Sequence, residues 1–263
     1  MRLDERSSRL DVMPRNANNT RMNLLNMSEV RVAAPPLPAL AAPLTHGLDA
    51  VAGVSFEMMP LEKLAACFRN EELDCALLPP LLAVGNPLAR IVPGIGLVLE
   101  TEGAAAFCLG GDLDGPVRVG LLRGAAVFET VVRIILAERY GAEVQAAPAA
   151  GDTGEGLDAV VAMGRAAQTG VWAAHHDLYR LWVETTDTPL AVLVWACRVR
   201  APHARVRQVL AAAQQRGLAE CEALAERPYS YVLASEAAAG LRKLVALGRR
   251  HGVCRADTEV SFC

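Results

Sequence analysis

Lysine is nearly missing from this chain of 263 residues: Lys63 and Lys243 are the only two among 26 basic side chains. With 29 acidic residues the formal net charge is −3. That balance provides no basic face of the kind a nucleic-acid backbone requires. No uninterrupted apolar run approaches the ~18 residues that a membrane helix needs, and the longest, residues 91–99 and 190–197, are strand-sized. The seven cysteines (67, 75, 108, 197, 221, 254 and 263) contain no C-x-x-C pair. Several lie inside apolar runs, which fits buried free thiols in a reducing cytoplasm better than disulfides or zinc. There is no G-x-G-x-x-G after a strand, no Walker loop, no G-x-S-x-G and no H-E-x-x-H. These absences exclude a nucleic-acid-binding domain, a membrane span and the common signature-bearing enzymes.

What is present is a large apolar share, 52% of the residues, with a mean hydropathy of +0.24. A chain of this length can bury one large core or two lobes of roughly 100 residues each. The arginine excess stands beside so much alanine that compositional bias accounts for it better than a dedicated anion-binding role.

Residues 1–28 differ from the rest, carrying Arg2, Arg6, Arg9, Arg15 and Arg21 among Asn and Ser. They lack the apolar block of a signal peptide, so a disordered or wrongly assigned leader is expected, with a nucleic-acid-binding arm as the sharper alternative. From Val30 onward the pattern alternates between strand and helix. Strands are expected at 30–34, 55–58, 75–78, 91–99, 104–109, 117–122, 144–147, 157–163 and 190–197. Helices are expected at 61–68, 125–140, 175–183, 204–225 and 237–251. The fully apolar strand at 75–78 suits a parallel sheet covered on both faces. The order predicts an α/β protein of two lobes joined by two crossings, near 109–112 and 195–199. Lobe 1 is then 29–109 plus 198–258, and lobe 2 is 110–197.

Few residues invite a chemical role. Gly94 and Gly96 read as a bend or a packing point within a strand, and Glu71-Glu72 as a solvated helix end. His175 and His176, placed on a helix, would point about 100° apart and could not chelate one metal together. Arg123-Gly124-Ala125-Ala126 is more informative. It falls between a strand and a helix, where unpaired N–H groups and the positive dipole end attract anions and small side chains admit a ligand. A plain βα turn is the competing interpretation.

Several segments, in order, resemble one family. Leu64-Ala65 with Asn70-Glu71-Glu72-Leu73-Asp74-Cys75-Ala76-Leu77-Leu78-Pro79 resembles the "LA…xGELDVALVPS" signature of the chorismate dehydratases and their relatives in the futalosine route to menaquinone. Arg31-Val32-Ala33-Ala34 through Pro43-Leu44 is similar to "RIGAVNYLNTxPL", Val92-Pro93-Gly94-Ile95 to "LPGI", and Thr101-Glu102-Gly103 to "SDGP". Residues 133–141 resemble "RILLxERYG", and 158–164 resemble "DAALLIGD". Leu181-Trp182, Thr188-Pro189-Leu190 and Val194-Trp195-Ala196 resemble "EWxxxTGLPFVFAVWA". The likeness covers residues 29–255.

The resemblance implies a two-lobed, periplasmic-binding-protein type II-like fold with a ligand cleft between the lobes. It also implies a lyase that removes water from chorismate to give 3-[(1-carboxyvinyl)oxy]benzoate, with no metal or organic cofactor. The substrate-binding positions carried over are Pro35, Pro36, Leu37, Thr101, Glu102, Gly103, Phe107, Arg123, Gly124, Ala125, Ala126, Gly164 and Arg165. No catalytic side chain can be assigned. The expected partner is a small anionic, chorismate-like metabolite, with no nucleic acid and no membrane, and a homodimer is left open.

The chain departs from the family at the cleft. Pro35-Pro36-Leu37-Pro38-Ala39 stands where the family has a polar "VNYLN" loop, Phe107 at or beside a serine, Arg123-Gly124-Ala125-Ala126 for "SSRTS", Arg165 for the "IGD" aspartate, and Pro80 for the serine of "VPS". Two outcomes follow: backbone amides with Arg123 or Arg165 still clamp a carboxylate, or the cleft serves a non-catalytic, solute-binding role for a more apolar ligand.

Overall fold

The computed structural model describes residues 29–103, 105–109, 116–122, 124–147, 157–163, 174–220 and 229–263. Arg123, Gly164, Arg165, the leader 1–28 and the end of the helix expected at 204–225 lie outside the described residues.

Two sheets organise the described chain. The first runs β11-β4-β10-β3-β1-β2 and the second β7-β6-β8-β5-β9. In the first, β1 (Val30–Ala34) lies parallel to β2 (Val54–Met58) and β3 (Cys75–Leu78). β10 (Leu190–Arg198) runs antiparallel between β3 and β4 (Ala89–Leu99), and β11 (Tyr229–Ser230) edges β4. Every residue of β3 and β10 is buried, as their unbroken apolar runs require of central strands covered on both faces. The cover comes from helices. α1 (Pro38–Thr45) and α6 (His203–Glu220) pack on each other and on β4, while α3 (Pro80–Val84) and α7 (Ser235–Arg250) pack on β10. α2 (Leu61–Arg69) buries Leu64 and Phe68 against β3 and β1.

The second sheet sets β6 (Pro116–Leu121) parallel to β7 (Glu143–Ala147) and β8 (Ala159–Met163), with β5 (Ala105–Leu109) antiparallel to β8 and to β9 (Ala174–Asp177). α4 (Glu129–Tyr140) covers it with Val131, Val132, Ile134, Ile135 and Leu136, and Gly141 in the left-handed region ends the helix. α5 (Leu178–Thr186) packs on α4, and its buried Trp182 donates Nε1–H to the Pro189 carbonyl at 3.3 Å.

Strand pairing moves both crossings. β5 pairs within the second sheet and β10 within the first. The chain therefore leaves the first sheet between Leu99 and Ala105 and returns between Asp177 and Leu190, earlier than 109–112 and 195–199. An apolar run does not reveal which sheet it will join. Residues 174–177 are a strand rather than helix, so His175 and His176 point to opposite faces. Two helices arise that are not among those expected from the sequence pattern. Pro38 opens α1 and Pro80 opens α3, both at positions where a missing N–H costs nothing. Gly96 lies in the irregular stretch of the β4–β10 ladder, where a Cβ would come within 2.8 Å of the Leu193 carbonyl oxygen. That fits the packing reading.

Candidate functional site

The two sheets face each other through the loops at the carboxyl ends of β1 and β6, where ligands bind in open α/β folds. On the first side, β1 gives way to Pro35 (buried), Pro36 (exposed) and half-buried Leu37. Three of the four residues 35–38 are proline and have no N–H, and the Leu37 N–H is spent on the Pro35 carbonyl at 2.8 Å. The Leu37 carbonyl accepts from Leu40 and Ala41, closing the first turn of α1. This rim offers a ligand apolar surface and carbonyls.

On the opposite side, β6 ends and Gly124 turns at φ +85°, a left-handed conformation that glycine adopts without steric cost. A 3-10 turn, Ala125–Phe128, follows, and the α-helix begins only at Glu129. The helix start expected at residue 125 is thus displaced by one turn. The Ala125 N–H already donates to the Leu122 carbonyl at 2.8 Å. The amides of Gly124 and Ala126 flank that bond at the start of the turn.

Leu37 and Gly124 meet. A Cβ built on Gly124 would lie 3.7 Å from Leu37 Cδ2 and 3.9 Å from Met163 Sδ. Met163, the last residue of β8, was not foreseen, although it directly precedes Gly164; its position at a strand's carboxyl end was the available signal. Leu37, Gly124 and Met163 thus come together where the loops of the two sheets approach, and none of the three lines the groove described below.

Thr101, Glu102 and Gly103 form an exposed turn at the outgoing crossing. The Gly103 N–H donates to Asp177 Oδ2 at 2.7 Å, and Glu102 approaches Arg180 at 3.9 Å. Asp177 also caps α5 by accepting the Arg180 N–H at 3.1 Å. Burial, followed by the nearby Glu100 carboxylate, raises the Tyr179 phenol above its ordinary range. This trio belongs to the junction of the crossings and is absent from the walls of the groove described next. Phe107 sits in β5 with its backbone opposite Val161 and His176.

From Ala126 a groove of about 620 Å³ extends along α4, past Glu129, Thr130 and Arg133, with Leu61, Pro79 and Leu82 on the opposite wall. Glu129 and Arg133 neutralise each other one turn apart, at 2.8 Å. At the far end Glu138 on α4 bridges Arg250 at 2.7 Å and His251 at 2.5 Å, fastening α4 to the end of α7. Sequence patterning did not identify this latch. Among the described residues, no group of three or more His, Cys, Asp or Glu is arranged to hold a metal ion. No helix among them is long and apolar enough to cross a membrane.

No protein-family model matches the chain, and neither does any curated protein. Solved structures do. Protein AF1704 from Archaeoglobus fulgidus superposes with a TM-score of 0.66 at 17% identity, over 85% of this chain and 98% of that one. The ligand-binding component of an ABC-type import system from Staphylococcus aureus, solved with zinc bound, gives 0.58 at 10% identity, over 89% and 97%. An ABC transporter structure from Parabacteroides distasonis gives 0.51 at 16%, over 86% and 93%. The chain has the two-lobed α/β fold of periplasmic-binding-protein type. At these identities the likeness concerns the fold.

Proposed function

We propose that this protein is a cytoplasmic, chorismate dehydratase-like lyase of menaquinone biosynthesis, taking chorismate or a closely similar small acid between its lobes. The observation that carries this reading is the meeting of Leu37 with Gly124. Two segments that stand at the family's cleft positions, distant in sequence, come together there. Gly124 and Ala126 would receive a ligand carboxylate on main-chain N–H groups, with Arg123 and Arg165 as the guanidinium candidates read from the sequence. Leu37, Pro36 and Met163 would cover the ring.

The chemistry asks little of such a site. Loss of the ring proton on the ether-bearing carbon and of the hydroxyl on its neighbour releases one water and leaves an aromatic ring. The driving force lies in the substrate, so the protein's work is to hold the acid, orient it and exclude bulk water. This reading assigns no catalytic side chain of the protein. The base in this scheme is the substrate's own carboxylate. Incubation with chorismate, followed by chromatography for the carboxyvinyloxybenzoate, tests the proposal. Product formed in proportion to enzyme supports it, and none at high enzyme concentration contradicts it.

A second reading is favoured by the apolar rim. With Pro35, Pro36 and Leu37 in place of polar groups, the gap suits a non-catalytic solute-binding role, since a site built on hydrogen bonds loses much affinity without them. Thermal stabilisation by another metabolite, without turnover of chorismate, would select this alternative.

A further inference from the structure

One side of α7 reaches out of the first sheet. The helix packs on β10, and its Gly240, Lys243 and Arg250, spaced by three and seven residues, stand in one row along it. At the start of the row a Cβ on Gly240 would run into the Pro189 carbonyl oxygen and lie 3.1 Å from Thr188 Oγ1, so α7 rests directly on the returning crossing. One turn on, the Lys243 ammonium donates to the Thr186 carbonyl at the end of α5. A helix leaves its last carbonyls unpaired, and its dipole favours a cation there. One of the two lysines in the chain is spent on this contact.

At the other end of the row, Arg250 and the adjoining His251 both hold Glu138 of α4, at 2.7 and 2.5 Å. Glu138 and His251 are half-buried, so salt screens this cluster less than an open surface pair. The next residue, Arg139, faces the other way and donates to Glu184 of α5 at 2.5 Å.

The two ends of the row do different work. Gly240 and Lys243 touch the returning crossing, a joint between the lobes, where a swing displaces atoms least. Arg250 and His251 touch a helix that covers the second sheet, and they do so beside the groove. His251, Gly252 and Val253 line it from the α7 side, with Arg133, Ala137 and Ala142 across from them.

We propose that α7 is a clasp on the two lobes, with Lys243 as its pivot and the Glu138–Arg250–His251 cluster as its catch, so that the protein's own side chains set the width of the groove. Releasing the catch leaves the pivot in place, and α4 swings away from residues 251–253. The clasp works in this way whichever acid the lobes take.

The test is small-angle X-ray scattering with amide hydrogen exchange on the full chain and its variants. Glu138→Ala should enlarge the radius of gyration and speed exchange in residues 133–144 and 250–254 about fivefold, the effect of one ordinary hydrogen bond, with β1 and β10 unchanged. Glu138→Arg should open the lobes further by placing like charges together, and adding Arg250→Glu should draw them back by restoring the pair with its charges exchanged. Arg250 is 64% exposed, so Arg250→Ala leaves the core intact and should give a smaller shift in the same direction whether or not Glu138→Ala folds. Unchanged scattering and exchange in Arg250→Ala, exchange that rises equally in β1 and β10, or a double variant as open as Glu138→Arg would each overturn the clasp.

Discussion

The backbone N–H of Gly103 donates to Oδ2 of Asp177 at 2.7 Å across 74 residues of sequence. The outgoing crossing between the sheets is thereby tied to the returning one. The same carboxylate caps α5 through the Arg180 N–H. One side chain positions both strands of the hinge.

Asp177→Ala removes the cap and the tie together. A lost N-cap costs about 0.5–2 kcal/mol, and the orphaned Gly103 amide is solvent-exposed and adds little. Denaturant unfolding should show a loss in that range, with Asp177→Asn losing less than half as much because its amide oxygen still accepts. Equal losses for the two variants would show that charge, not capping, is at work.

Arg198 is 6% exposed, yet its guanidinium reaches Glu71 Oε1 at 2.5 Å and the Phe68 carbonyl at 3.1 Å. Glu71 is thus more than a solvated helix end. Glu71→Ala leaves a buried cation short of its partner and should destabilise by about 1–3 kcal/mol. Adding Arg198→Met should recover part of that loss, because an apolar replacement removes the unpaired charge. A double variant no more stable than Glu71→Ala would contradict this.

Gly217 on α6 faces the backbone of α1. A Cβ there would lie 2.4 Å from the Pro43 carbonyl oxygen and 2.6 Å from Pro43 Cα. In an open helix Gly→Ala gains up to about 1 kcal/mol. Here the close approach outweighs that gain, since overpacking costs about 1–3 kcal/mol. Thermal unfolding of Gly217→Ala should show a lowered Tm.

Leu37→Trp enlarges the apolar rim without touching a hydrogen bond from its side chain. It should raise the chorismate Kd about tenfold, equivalent to 1.4 kcal/mol, with Tm nearly unchanged. Calorimetry showing unaltered affinity would remove Leu37 from the site.

Much of the frame was legible in the sequence because it follows from pattern alone. Unbroken apolar runs gave β3 and β10, and the spacing of Leu64 and Phe68 gave α2. Sheet membership was not legible, since an apolar run suits burial in either sheet and only pairing decides. The start of α4 was misplaced by the 3-10 turn, whose residues are as apolar as the helix that follows. In the candidate site, Leu37 and Gly124 were read from their segments. Their contact, with Met163 beside them, depends on how the two sheets face each other, which no local spacing encodes.

The most direct test of the central claim is an amide NMR titration with chorismate. Occupation of the gap predicts saturable shifts at Leu37, Gly124 and Ala126, with a smaller response at Gly103 as the hinge adjusts. Saturable shifts elsewhere with these amides unmoved, or no shifts at millimolar chorismate, would contradict it.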